Sequence, residues 1–185
     1  MINFIAGEAG IKTSAFIGIL FAFAATCLVM WKGMGMLPRD QGREFAVDGK
    51  KSAGKPRGAG FLFVLVFIAA ALLFGQVNRE MIIYLILTGA AMITGFLDDC
   101  AKTPWGEYKK GFLDLLIAVM VAVTFLNFNS NEVTILLTGA SFAIPPIVFG
   151  ILVVVLVWVS INVTNCSDGV DGLSGTLTII TLHDT

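Results

Sequence analysis

Two short polar stretches carry the residue types that could do chemistry. "FLDDCAK" places Asp98 and Asp99 side by side. Lys102 follows four residues after Asp98 and three residues after Asp99. "NVTNCSDGVDGLSG" begins at Asn162, at the end of a long run without any charged residue. Carboxylate oxygens suit Mg²⁺, which often shares the phosphates of a substrate. Together the two stretches predict a site for magnesium-assisted phosphoryl chemistry.

The aspartate pair stands at the end of an apolar run. Two carboxylates at a helix C-terminus oppose the helix dipole, so this placement predicts a bound cation beside Asp98 and Asp99. If the helix continues for one more turn, Lys102 folds back over both carboxylates and neutralises a phosphate oxygen. The plainer alternative is a polar helix end with a salt bridge.

The second stretch combines amides, carboxylates and glycines. Asp168 and Asp171 share a face if a sixth helix starts there, and a plain alternative makes Asp168 the N-cap. A cap needs one aspartate, whereas this stretch also holds Asn162 and Asn165. Gly169 and Gly172 permit the close approach of a ligand.

A third segment, Gly54–Gly60, reads "GKPRGAG" and leads directly into the next apolar run. It is either a flexible basic loop that fixes membrane topology or a surface that binds phosphates near a helix start. The sequence favours neither interpretation.

The elements that must position these stretches are membrane helices. The chain has 185 residues, of which 57% are hydrophobic and 14% charged, and its mean hydropathy is +0.89. This composition predicts an all-α, polytopic integral membrane protein with a single transmembrane domain over residues 1–185. Five complete transmembrane helices are predicted, plus the start of a sixth. They are Thr13–Trp31, Ala59–Gly75, Met81–Leu97, Gly111–Phe128 and Ile144–Val163, with the partial sixth over residues 173–185.

The sixth run begins at Leu173 and stops at Leu182. Such a segment rises about 15 Å as a helix, roughly half of the hydrocarbon core. We therefore expect the chain to be truncated at its C-terminus.

Basic residues are distributed unevenly among the loops. Of the twelve Lys and Arg, seven lie in Lys32–Arg57 and three in Lys102–Lys110, whereas the loops after the second and fourth helices hold only Arg79. The positive-inside rule therefore predicts an outside N-terminus and places the chemical stretches on the cytoplasmic face. Because the basic residues follow membrane topology, nucleic-acid binding is not expected.

The outer loop Asn127–Ala143 contains "VTILLTGASFAI", in which β-branched residues flank a turn. This pattern predicts a short hairpin. Pro145 and Pro146 suit the first turn of the fifth helix.

With "GREFAVDGKKSAGKPRGAG", the two chemical stretches resemble the polyprenyl-phosphate N-acetylhexosamine-1-phosphate transferases. The resemblance spans roughly Leu37 to Gly175. Members of that family have more helices, so this chain resembles their N-terminal half. Many members carry Thr-Pro-Thr-Met-Gly-Gly after the first loop, where this chain has "KPRGAG", so the role of that loop is not carried over.

The resemblance implies a reaction at the cytoplasmic face of the bacterial cytoplasmic membrane. Phospho-MurNAc-pentapeptide moves from UDP-MurNAc-pentapeptide to undecaprenyl phosphate, giving lipid I and UMP in peptidoglycan biosynthesis. The resemblance further implies Mg²⁺ as cofactor, an acceptor groove open to the lipid bilayer, and a homodimer.

The resemblance also implies roles for individual residues. Asp98, Asp99 and Asp168 are expected to be catalytic and to bind the metal, and which aspartate acts as the base stays open. Asp171, with Gly169 and Val170, is expected to hold the uridine. The full expected substrate-binding set is Lys102, Lys109, Lys110, Asn162, Asn165, Gly169, Val170 and Asp171.

Three alternatives remain from the sequence. One keeps the reaction but uses UDP-GlcNAc. Another is a transporter or non-catalytic ion-binding membrane protein, which predicts polar residues near the middle of the bilayer. The helix centres here are nearly free of charge, which disfavours it. The last, a structural subunit, leaves the paired aspartates unexplained.

Overall fold

The computed structural model describes residues 8–39, 54–101, 105–135 and 139–167, with the single positions 175 and 178. Within these residues the chain forms five long helices and one β-hairpin. The helices are α1 (Glu8–Gly33), α2 (Ala59–Phe74), α3 (Arg79–Cys100), α4 (Glu107–Phe128) and α5 (Pro146–Ser167), and the strands are β1 (Glu132–Ile135) and β2 (Ala140–Ala143). A short 3₁₀ turn, Met34–Met36, follows α1.

Four segments of this part of the chain are long and apolar enough to cross a membrane. They are Gly10–Met36, Arg79–Cys100, Glu107–Phe128 and Pro146–Asn165. The fifth helix, α2, is equally apolar but has only 16 residues. The predicted fold class, an all-α polytopic membrane protein, is confirmed. The predicted start of a sixth helix lies outside the described residues, apart from positions 175 and 178.

Helix boundaries follow local capping chemistry. At the start of α3, the side chain of Asn78 accepts a hydrogen bond from the Met81 backbone N–H at 2.7 Å, which satisfies a donor that the first turn leaves open. At the end of α2, Gly75 turns extended and its N–H donates to Ala71. Helix α5 begins at Pro146, two residues after the predicted start at Ile144, and proline at the first helical position removes no helical hydrogen bond.

The chain divides into two compact units, Met1–Gly106 and Glu107–Thr185. In the first unit α1 packs against α2, and α2 packs against α3. Gly18 allows the close approach of α1 and α2, because a Cβ there would lie 2.8 Å from Cβ of Phe74. The expectation of one transmembrane domain stays a prediction.

In the second unit α4 packs against α5. The rings of Phe125 and Phe149 stack with their centroids 5.7 Å apart, which places the end of α4 beside the start of α5. Ala118 and Ala122 are buried along α4, and small residues of this kind let membrane helices approach closely. Large apolar side chains such as Leu156, which is 67% exposed, face outward, as lipid-facing positions require.

The predicted hairpin is confirmed. β1 and β2 pair antiparallel, with Glu132 opposite Ala143 and Ile135 opposite Ala140. Gly139 enters β2 with φ +67°, a conformation that glycine adopts without strain.

Candidate functional site

Asp98 lies in the last turn of α3. The helix ends at Cys100, and Ala101 adopts an extended conformation. The backbone N–H of Trp105, seven residues further along the chain, donates to Oδ1 of Asp98 at 2.9 Å. A neutral backbone donor therefore holds this carboxylate in place.

Asp99 pairs with a guanidinium from the glycine-rich loop. Nη2 of Arg57 lies 3.1 Å from Oδ1 of Asp99, and the side chains are 38% and 31% exposed. Water screens an ion pair of this exposure, so its contribution to folding stability is small. Its electrostatic effect is local: it puts a positive charge beside two carboxylates at a helix C-terminus, where the dipole disfavours them.

Backbone contacts fix the position of Arg57. Its N–H donates to the carbonyl of Pro38 at 2.7 Å, and Pro56 forms an antiparallel bridge with Arg39. Nη1 of Arg39 in turn donates to the carbonyl of Gly54 at 3.1 Å. The residues that follow α1 and the residues that precede α2 are thus tied together.

Gly58 brings this loop against the end of α3. It has φ +72°, and a Cβ on it would lie 2.9 Å from Cδ2 of Phe96 and 3.6 Å from Oδ2 of Asp99. The ring of Phe96 also stacks on Phe61 of α2, with centroids 4.5 Å apart. Only glycine adopts this backbone conformation without strain and allows the loop to lie this close to α3. Gly58 therefore helps to place the neighbouring Arg57 beside Asp99.

Arg57 is a site residue that the sequence reasoning did not assign. The sequence predicted a bound metal cation beside the aspartates. It separately predicted that Lys102 would fold back over both carboxylates if the helix continued for one more turn. That condition is not met, because α3 ends at Cys100 with an extended residue after it. Lys102 itself lies outside the described residues. The segment "GKPRGAG", which contains Arg57, was the sequence feature that could have identified it. Its two interpretations, phosphate binding and membrane topology, were equally favoured.

The donor atoms of the acidic pair are of the kind that bind magnesium. Among the described residues no group of three Asp, Glu, Cys or His side chains is placed to hold a metal. Asp98 and Asp99 supply two hard oxygen ligands, and Mg²⁺ is commonly bound by one or two carboxylates together with waters and substrate phosphates. The pair fits a magnesium ion that is completed by a phosphate ligand.

A second polar cluster lies in the unit formed by α4 and α5. Nζ of Lys110 donates to Oδ1 of Asn165 at 3.1 Å. Nε1 of Trp158 donates to the carbonyl of Gly111 at 2.9 Å, which ties the same two helices together. Nδ2 of Asn162 donates to the carbonyl of Trp158 at 2.8 Å, within its own helix.

The structure brings together only part of the predicted set. Lys110 and Asn165 are in contact, Asn162 bonds to its own helix, and Lys109 is exposed in the first turn of α4. Lys102, Asp168, Gly169, Val170 and Asp171 lie outside the described residues.

A cavity of about 440 Å³ lies at the other end of α3. Its lining includes Asn78, Glu80 and Tyr84, which belong to the start of that helix or precede it. Asp98 is at the opposite end of α3, so this cavity is separate from the acidic pair.

Comparison with known proteins assigns this membrane fold to a class. The family model of glycosyl transferase family 4 matches residues 81–183, more than half of the chain, and the chain belongs to this family. The matched range contains the aspartate pair, Lys110 and Asn165. Arg57 lies before it.

Curated relatives carry a more specific name. A phospho-N-acetylmuramoyl-pentapeptide-transferase of Treponema pallidum subsp. pallidum is 41% identical over 170 residues, which cover 90% of this chain and 47% of the relative. One of Gloeothece citriformis is 29% identical over 177 residues, covering 91% of this chain and 48% of the relative. The chain spans about half the length of these relatives. No solved structure matches it. The resemblance drawn from the motifs is confirmed.

Proposed function

We propose that this chain takes part in the transfer of phospho-MurNAc-pentapeptide from UDP-MurNAc-pentapeptide to undecaprenyl phosphate, with lipid I and UMP as products. The observation that carries the proposal is the acidic pair at the end of α3, engaged by the Arg57 guanidinium and the Trp105 N–H. The name of the relatives supports the choice of substrates.

The reaction exchanges one phosphoanhydride bond for another. An oxygen of undecaprenyl phosphate forms a bond to the phosphorus that carries the sugar, and the bond from that phosphorus to the UMP oxygen breaks. UMP leaves with the electron pair of that bond. Catalysis of this kind is largely positioning and charge neutralisation, which is what a fixed carboxylate pair and a nearby guanidinium offer.

The two aspartates have different surroundings, and we assign them accordingly. Asp98, held by the Trp105 backbone N–H, orients the lipid phosphate. Asp99 holds the Arg57 guanidinium, which also interacts with the negatively charged diphosphate. Mg²⁺, held by Asp98 and Asp99 with Asp168, would neutralise charge on the diphosphate.

The remaining predicted residues complete the proposal. Lys102 and Lys109 neutralise phosphate, and Asn165, which Lys110 contacts, acts on the diphosphate. Asp171, with Gly169 and Val170, holds the uridine. The loops that carry these residues are proposed to face the cytoplasm, because they hold most of the basic residues.

The proposal is tested in the complete protein, reconstituted with Mg²⁺ and undecaprenyl phosphate. UDP-MurNAc-pentapeptide and UDP-GlcNAc are supplied in separate reactions, and UMP and lipid-linked product are measured. We expect product from the first nucleotide only. Asp98→Asn should lower the rate by about a hundredfold or more, the range of a lost catalytic carboxylate.

Glu132→Gln is the matched control, since it removes the same charge from strand β1 of the hairpin that follows α4. Helical content by circular dichroism should be equal in both variants. Product from UDP-GlcNAc alone would move the function to the alternative substrate, and wild-type turnover by Asp98→Asn would reject the assigned site.

A further inference from the structure

The contact between Lys110 and Asn165 fixes the orientation of an amide. A lysine ammonium carries three donors and no acceptor, so the atom that faces it at 3.1 Å must be the oxygen of Asn165. The two ends of an asparagine amide are otherwise hard to distinguish. Here the chemistry of the partner decides, and Nδ2 points away from the ammonium.

The other asparagine of α5 is turned the opposite way. Nδ2 of Asn162 donates to the carbonyl of Trp158, and a carbonyl can only accept. Asn162 therefore uses an amide donor within its own helix. Asn165 uses its acceptor on α4, and its side chain is exposed at the end of α5.

We propose that Lys110 is a positioning residue, which orients Asn165 so that its NH₂ group donates to an anionic oxygen of the diphosphate. The inference rests on the proposed function. An oxygen that already accepts from an ammonium is a poor ligand for a second cation, because the two positive charges repel. Asn165 is thus suited to bind an anion rather than a metal ion.

The surroundings of Lys110 support this role. The next residue, Gly111, accepts a hydrogen bond from the Trp158 indole at 2.9 Å, so α4 and α5 are held together one position away. Lys110 is only partly exposed, whereas its neighbour Lys109 is exposed. A side chain held between two helices loses less conformational freedom when it makes a defined contact.

The test measures equilibrium binding of UDP-MurNAc-pentapeptide to the complete protein without undecaprenyl phosphate, so that no turnover occurs. Lys110→Met should weaken binding about tenfold, the effect of losing one well-placed hydrogen bond to a charged group. Lys110→Arg keeps a cationic donor and should recover most of the affinity. Asn165→Asp has no amide donor and should weaken binding at least as much as Lys110→Met.

A double-mutant cycle separates positioning from direct binding. If Lys110 acts through Asn165, then Lys110→Met should cause no further loss in an Asn165→Ala background. Lys109→Met removes the same charge one residue earlier, and its effect should be equal with and without Asn165. Losses from Lys110→Met that add fully to those of Asn165→Ala would overturn the proposal.

Inorganic pyrophosphate, used as a second probe in the same cycle, distinguishes the two ways of failing. If the wild type binds pyrophosphate but not the nucleotide sugar, the proposed function fails. The double-mutant cycle measured with pyrophosphate then still tests the positioning role of Lys110. If both probes bind and the cycle is additive, only the positioning role fails. If neither probe binds, both proposals are rejected.

Discussion

The acidic pair at the end of α3 and the Lys110–Asn165 contact are built in different ways. Asp98 and Asp99 are adjacent in sequence, and their partners come from loops: a backbone N–H of Trp105 and a guanidinium placed by Gly58. Lys110 and Asn165 are far apart in sequence and meet because α4 packs on α5. The first arrangement depends on backbone conformation, and the second depends on side-chain identity.

Changing the backbone should damage the first region most. Gly58→Ala forces a residue with φ +72° to carry a Cβ 2.9 Å from the Phe96 ring. We expect a loss of about 2–3 kcal/mol in unfolding free energy, from left-handed strain plus displacement of Phe96. Thermal unfolding in detergent measures it.

Gly54→Ala is the matched control. Gly54 also has positive φ, at +85°, but a Cβ there would meet no atom of the described residues within 4 Å. Its loss should be limited to strain, about 1 kcal/mol. Equal losses of unfolding free energy in Gly58→Ala and Gly54→Ala would mean that the close approach of Gly58 to Phe96 does not contribute to stability.

Removing the charge of the loop should have a smaller effect. Arg57→Gln takes the guanidinium from Asp99 and is expected to lower the transfer rate about tenfold, since one charge-assisted contact is lost. Arg39→Gln removes the same charge from the same loop, where the guanidinium donates to the Gly54 carbonyl. The rate of Arg39→Gln should stay within a factor of about two. Equal effects of the two variants would reject a specific role for Arg57.

The smallest effect is expected in the second region. Trp158→Phe keeps an aromatic ring but removes the donor to Gly111, and should cost about 1 kcal/mol of unfolding free energy. Trp31→Phe, at a position that is 80% exposed, should change it by less than about 0.5 kcal/mol. A Trp158→Phe protein as stable as Trp31→Phe would show that the indole hydrogen bond does not hold α4 on α5.

Hydropathy predicted the membrane class because long apolar runs have few other uses. It did not predict where the helices end. α1 starts at Glu8 and α4 at Glu107, because polar residues continue a helix beyond the apolar core. At α3 the helix continues past the predicted end at Leu97 to Cys100, and the backbone N–H of Trp105 donates to Asp98.

The candidate site was predictable in its residue types and less so in its contacts. Adjacent carboxylates at a helix end were visible in the sequence, whereas Arg57 was not assigned to them. The Arg57–Asp99 contact depends on how closely Gly58 lets its loop approach the end of α3, and this distance is set by tertiary packing. Lys110 and Asn165 were both predicted, but which atom of the amide faced the lysine followed only from the packing of α4 on α5.

The 16 residues of α2 have a consequence for the lipid around it. A helix of that length rises about 24 Å, several ångströms less than the hydrocarbon thickness of about 30 Å. Hydrophobic mismatch of this kind is relieved when the bilayer thins locally or polar flanks reach inward. Arg57 stands two residues before α2 and is therefore one of the polar flanking residues that would extend towards the bilayer surface. We therefore expect the acyl-chain length of the surrounding lipids to affect the strength of the Arg57–Asp99 pair.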